Sequence, residues 1–166
     1  MAVPAQVILK GFAMDDKIQT TAEALEGTAI PCARVVYLDP DTPASAEQKP
    51  LPAAMSKTPF EQKTAAHWAY ERLILYIQNF EEQLDNEHEI AVGFTGGGAG
   101  VMRIEGIGHF DPDIVTFYGT DESGAKTQLI QHVTQLGVML RALPKQVLAE
   151  EPKRIGFRLA EDLEKE

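Results

Sequence analysis

Between residues 66 and 105 the apolar side chains change period, and few architectures accommodate that change. Ala66, Ala69, Leu73, Ile77, Phe80 and Leu84 recur at steps of three or four, and Tyr70, Ile74 and Tyr76 widen the stripe. That spacing predicts one long amphipathic helix. After Asn86-Glu87-His88-Glu89 the step falls to two. Ile90, Val92 and Phe94 share one side of a strand opposite Ala91 and Gly93, and Met102 and Ile104 then oppose Arg103 and Glu105. A helix with one apolar stripe followed by strands with one apolar side calls for a helix laid on an antiparallel sheet, an α+β domain.

Local signals set the expected boundaries. Thr58-Pro59-Phe60-Glu61 offers an N-cap, a proline at the first helical position and an acid three residues after the cap, so the helix is expected from about Pro59 to about Asp85. Two turn signals follow the second alternating segment, His109-Phe110-Asp111-Pro112-Asp113 and Thr120 to Gly124, with Ile114 to Gly119 as a β-branched and aromatic strand between them. Three strands in a meander are expected, and Ala125 to Gln128 extends the pattern toward a fourth. Leu129, Val133, Leu136, Leu140 and Leu143 return to steps of four and three before Pro144, predicting a second helix over Gln128 to Leu143. Arg154 to Leu159 reads as a short terminal strand and residues 160–166 as a charged tail that frays.

Composition shifts near residue 58. Six of the ten prolines precede it, and the small, polar, proline-punctuated stretch from Asp39 to Lys57 reads as a linker. Residues 1–57 are therefore expected to form a flexible, poorly ordered arm, with Cys32-Ala33-Arg34-Val35-Val36-Tyr37 as a lone apolar island, and residues 58–159 the folded domain. The chain has 166 residues, 44% of them hydrophobic, enough for one core of this size. Its net charge of −10 is spread along the sequence and opposes binding to nucleic acid or anionic lipid. No segment approaches the roughly 18 apolar residues of a membrane span. The single cysteine, Cys32, has no partner for an internal disulfide, as suits a reducing cytoplasm, the expected location.

Gly93 to Gly100 contains four glycines in five positions, Gly96 to Gly98 and Gly100. A phosphate-binding glycine loop leads into a helix N-terminus, whose free N–H groups and dipole hold the anion. Here a strand follows, no Lys-Ser or Lys-Thr pair comes after the glycines, and no glycine completes a dinucleotide pattern. The run is expected to be a hairpin turn with positive φ and no nucleotide-binding residues.

Other chemistry is sparse, and no catalytic set is visible. His109, Asp111 and Asp113 bring an imidazole and two carboxylates into one turn, a candidate divalent-metal or acid–base site, with Glu89 or Glu105 as possible neighbours. His67 and Glu71 lie one helical turn apart, His132 stands beside an apolar stripe, and Glu81, Glu82 and Asp85 crowd a helix C-terminus that disfavours acid. No nucleophile has a visible activating partner, and no cofactor is implied.

The segments from Trp68 to Asp85, Ile114 to Gly124, Thr127 to Pro144 and Ile155 to Leu159 resemble those of an uncharacterised bacterial family, a domain of unknown function, over roughly Thr64 to Leu163. The resemblance implies a compact bacterial domain and brings no activity, cofactor or catalytic residue. The expected function is a non-enzymatic interaction or regulatory domain that self-associates or binds a protein partner, with Trp68, Tyr70 and Tyr76 as interaction residues alongside Ile74 and Met139. The alternative is a small-ligand or metal-dependent enzyme using His109, Asp111 and Asp113. Helix, three strands, helix is also the order of double-stranded RNA-binding domains, but only Lys126 stands near the second predicted helix, so nucleic acid is not an expected partner.

Overall fold

The computed structural model describes residues 33–95 and 100–165. The first part of the expected arm with Cys32, and the glycines Gly96 to Gly98, lie outside the described residues. The ordered elements are a helix α1 (Ala65–Glu82), strands β1 (His88–Phe94), β2 (Val101–Phe110), β3 (Ile114–Thr120), β4 (Lys126–His132) and β5 (Val138–Pro144), and a helix α2 (Gly156–Lys165). All pairings are antiparallel, in the order β4-β3-β2-β1-β5.

Helix α1 begins six residues later than its first capping signal predicts. Thr58-Pro59 leads only into a 3-10 turn, Phe60–Gln62, and Lys63 is extended. Thr64 is the N-cap, its Oγ1 accepting from the His67 amide at 3.1 Å. Ala66, Tyr70, Ile74 and Ile77 form the buried stripe. They meet Ile90 and Val92 of β1, Met102 and Ile104 of β2, and Val115 and Phe117 of β3.

The helix expected over residues 128–143 is two strands and a turn. β4 ends at His132, Val133–Gln135 make a 3-10 turn, and β5 starts at Val138. Leu129 from β4, Val133 and Leu136 from the turn, and Leu140 from β5 all pack on the core, so a strand-turn-strand reproduces the apolar spacing of a helix. Gly137 marks the break. Its carbonyl accepts from the Thr95 amide, and a Cβ there would sit 1.8 Å from Thr95 Oγ1, closeness that only glycine allows.

The expected terminal strand is helical instead. Ile155, Leu159 and Leu163 recur at four, and the last two are buried, so the residues read as a fraying tail form most of α2. Within the stretch read as a linker, Ala46–Gln48 and Ala53–Ser56 are 3-10 turns, and Met55 is buried in the same core.

Chain connectivity makes the sheet coil. His132 lies in the row of Ile114 and Phe110, at one end of β2, whereas Val138 starts beside Phe94, near Val101 at the other end. In a flat sheet those points would be about 30 Å apart along the strands and about 19 Å across them. Six residue steps reach only about 20 Å. The two edges therefore bend toward each other, with α1 on the concave side, and the residues alternating with the core strands form a convex outer face.

Candidate functional site

The sequence candidates gather where α1 begins. His109 Nδ1 lies 3.1 Å from Asp111 Oδ1, and the same oxygen accepts from Thr64 Oγ1 at 2.5 Å. The His109 ring stacks on His67 of α1, centroids 5.0 Å apart and planes within 7°, and Tyr70 tilts against it at 4.8 Å. His67 Nε2 is 3.2 Å from Glu71 Oε1, and the other Glu71 oxygen accepts from Lys63 Nζ at 2.8 Å. Lys63 and Glu71 side chains are each 1% exposed, a buried ion pair that also ties the 3-10 turns down through Lys63 Nζ and the Met55 carbonyl. The hydroxyl of Thr64 beside Asp111 holds that carboxyl below its ordinary range; burial opposes this, and the neighbouring His109 and His67 reinforce it.

Asp113 is turned elsewhere. Its Oδ2 lies 3.0 Å from His132 Nε2, while its backbone carbonyl accepts from the Val133 amide at 2.8 Å. The turn thus distributes its acids: Asp111 to the imidazole of β2, Asp113 to the imidazole ending β4. Among the described residues, no group of three or more His, Cys, Asp or Glu is arranged to hold a metal ion. Glu89 and Glu105, the suggested neighbours, lie in the middle of the sheet and not at the turn, Glu89 bonded to Arg103 and Glu105 near Lys126.

The acids at the end of α1 also find particular partners. Glu82 meets Lys49 Nζ at 2.5 Å, and Asp85 meets His88 Nδ1 at 2.6 Å. Glu81 is buried, and its two oxygens accept from the amides of Ile155 at 3.0 Å and Gly156 at 2.8 Å. An acid unfavourable for the dipole of its own helix is therefore favourable for the next one, whose N-terminus it holds.

The predicted interaction aromatics are largely used within the chain. Tyr70 is buried, its hydroxyl donating to Asp162 of α2. Trp68 packs on Phe60 at 4.7 Å and carries Lys63 and Arg72 over its ring. Tyr76 stays exposed, donating to Glu47 Oε1 at 2.5 Å. Ile74 is in the core, whereas Met139 is exposed.

The exposed apolar surface lies on the convex side of the sheet. Phe110 is 76% exposed, Ile130 63%, Met139 47% and Tyr118 44%. The registers Phe110 with Ile114, Gly106 with Tyr118, Gly108 with Thr116, and Thr116 with Ile130 put Phe110, Tyr118 and Ile130 on neighbouring strands of one face, while Met139, paired with Gly93 on β5, stands apart at the other end of the sheet. Gly106 and Gly108 leave room for the Tyr118 ring, whose atoms lie 3.5 to 3.9 Å from where their Cβ atoms would be. The ring lies flat across β2, giving a smooth surface. Sequence reasoning missed these residues because it followed the inward half of each alternation; the signal was Phe110, Tyr118 and Ile130 on the outward half, where solvent-facing strands carry polar residues.

Among the described residues, no helix is long and apolar enough to cross a membrane. No curated protein and no solved structure matches the chain. The model of a family of unknown function, DUF6173, matches residues 61–158, which run from the turn before α1 into the first residues of α2. Since that match covers most of the chain and nearly all of the helix-and-sheet unit, this protein belongs to the DUF6173 family.

Proposed function

We propose that this domain is a non-enzymatic interaction module that self-associates, with the convex face of the sheet docked on the same face of a second copy. The observation carrying this reading is the cluster of Phe110, Tyr118 and Ile130, which stay exposed on adjoining strands β2, β3 and β4 of this face. An antiparallel sheet with one packed face ordinarily leaves the other polar, so large apolar side chains there call for a partner. Charge supports a second copy in particular. The charged residues of this face are Arg103, Lys126 and Arg141 against Glu89 and Glu105, three cations and two carboxylates, or +1 on a chain of −10. Two acidic chains repel least when they meet through this surface.

Light scattering on the full chain after size exclusion tests the reading. The chain is expected to be dimeric, and Ile130→Glu to shift it to monomer, since placing a carboxylate in an apolar contact weakens association by about a hundredfold or more. A wild-type monomer at high protein concentration, or a dimer indifferent to both Ile130→Glu and Tyr118→Glu, refutes it.

A second reading, a small-ligand or metal-dependent enzyme at His109, Asp111 and Asp113, draws support from the stacked His67 and His109 rings with acids on both flanks. It requires His132 to release Asp113. A thermal shift with Mg²⁺, Mn²⁺ or Zn²⁺ that Asp113→Asn abolishes is its expected signature, and no shift with any of the three counts against it.

A further inference from the structure

Midway along the sheet, Glu89 and Ile90 of β1 and Arg103 to Glu105 of β2 border a cleft of about 230 Å³ that the segment leading into α2 closes on the other side. Its charged lining consists of Arg103, Lys153, Arg154 and Arg158 against Glu89 and Glu105. The carboxylates do not neutralise it. Glu89 is committed on both oxygens, to Arg103 Nη1 at 3.1 Å and to the Lys153 amide at 2.9 Å. Glu105 is half exposed, with Lys126 Nζ 3.7 Å away. The terminal nitrogens of Arg154 bond to the carbonyls of His88 at 2.7 Å and Asp85 at 2.9 Å, neutral acceptors that fix the guanidinium without cancelling its charge. Four cations and two carboxylates leave +2; counting Glu81, which feels the Arg154 charge from behind, leaves +1.

Two of the cations, Arg158 and Lys153, make no side-chain hydrogen bond or ion pair among the described residues, and both are exposed at the rim. Ile104 and Ile155 supply an apolar wall and Thr120 a hydroxyl. Fixed guanidiniums at the back, free cations at the rim and an apolar wall between them form a receptor for a small anion with a short carbon skeleton. The volume lies below the roughly 300 Å³ at which pockets for drug-sized ligands begin, so the ligand is small.

We propose that this cleft binds a small organic dianion, a dicarboxylate or a phosphate monoester, with Arg158 and Lys153 as the residues that close on it and Arg154 as the fixed charge behind them. Calorimetry on the full chain tests this with two probes, succinate and inorganic phosphate, which separate the carboxylate from the phosphate source. One-to-one saturable binding of at least one probe is expected. Arg158→Ala and Lys153→Ala each weaken it by about tenfold, the usual size of one lost hydrogen bond to a charged group. Arg141→Ala, which removes the same charge from outside the cleft, changes it by less than about twofold. Both substitutions in the cleft are at exposed positions, so folding is preserved and is checked by circular dichroism. Absence of saturable binding for both probes overturns the proposal, as does binding that survives both cleft variants or falls equally with Arg141→Ala.

Discussion

Glu81 offers the sharpest test of how this fold is held together. Glu81→Ala removes the acceptors of the Ile155 and Gly156 amides at the start of α2, and Gly156 is buried. A buried donor left without an acceptor costs about 1–3 kcal/mol. Two such donors set the gross loss, and relief of the cost of burying a carboxylate offsets part of it. A net destabilisation of about 2–3 kcal/mol is expected. Glu81→Gln keeps one carbonyl acceptor for one of the two amides and sheds the charge, so its loss is expected to be smaller, about 1–2 kcal/mol. The dependence on pH separates the two effects. Burial pushes the Glu81 carboxyl above its ordinary value, against the lowering effect of the two amides and Arg154. A raised value means that the native state holds the proton more tightly. The contribution of Glu81 is therefore complete below the ordinary carboxylate range and is lost as pH rises through the raised value. Urea denaturation followed by circular dichroism across a pH series reads both quantities. The reasoning fails if Glu81→Ala costs less than about 1 kcal/mol, or if Glu81→Gln leaves the pH slope of the wild type intact.

Lys63→Met strands the buried Glu71 carboxylate with only His67 beside it and is expected to cost about 3 kcal/mol, whereas Lys63→Met combined with Glu71→Leu recovers most of that in urea denaturation. For Asp111 the sign is opposite to Glu81: its carboxyl is held down, so its contribution is present above the ordinary carboxylate range and is lost as pH falls through the lowered value. Thr64→Val is expected to return the Asp111 titration, read by NMR, toward its ordinary value, and to cost about 1 kcal/mol as a lost N-cap. Gly119→Ala would bring a Cβ to 2.0 Å from the Arg103 carbonyl oxygen, so β2 and β3 have to part; about 3 kcal/mol or more of lost stability is expected in thermal unfolding.

What the sequence made legible follows from which interactions are local. α1 and the first three strands each carry their own period and lie where those periods place them, because the Ala66-to-Ile77 stripe and the inward residues of β1 to β3 all enter one core, although β1 is buried on both sides from Glu89 to Gly93. Residues 128–143 were misread because period alone does not separate a helix from two strands joined by a 3-10 turn when Leu129, Val133, Leu136 and Leu140 all enter one core. Gly137 and the β-branched Thr127, Ile130, Val133, Thr134 and Val138 carried the competing signal. For α2, the missing cap was the obstacle: no side chain near Gly156 announces a helix, since its N-terminus is held by Glu81 from 75 residues earlier. The His109 turn was legible as a cluster, but the division of its two acids between His109 and His132 depends on β4 pairing with β3.

The placement of β5 beside β1 governs the order in which this protein can be made. Synthesis delivers β1 first, and its inner neighbour β2 follows almost at once, but the strand that covers its outer edge begins at Val138, 44 residues after Phe94. For that interval the nascent chain presents β1 as an uncovered edge beside an apolar surface, the condition under which unfinished chains associate with one another. α2, whose N-terminus Glu81 holds, emerges only after β5. Once β1 to β4 are free of the ribosome, the meander can assemble with its flank open, and the docking of β5 and then α2 acts as the latch that turns a sticky intermediate into a finished domain.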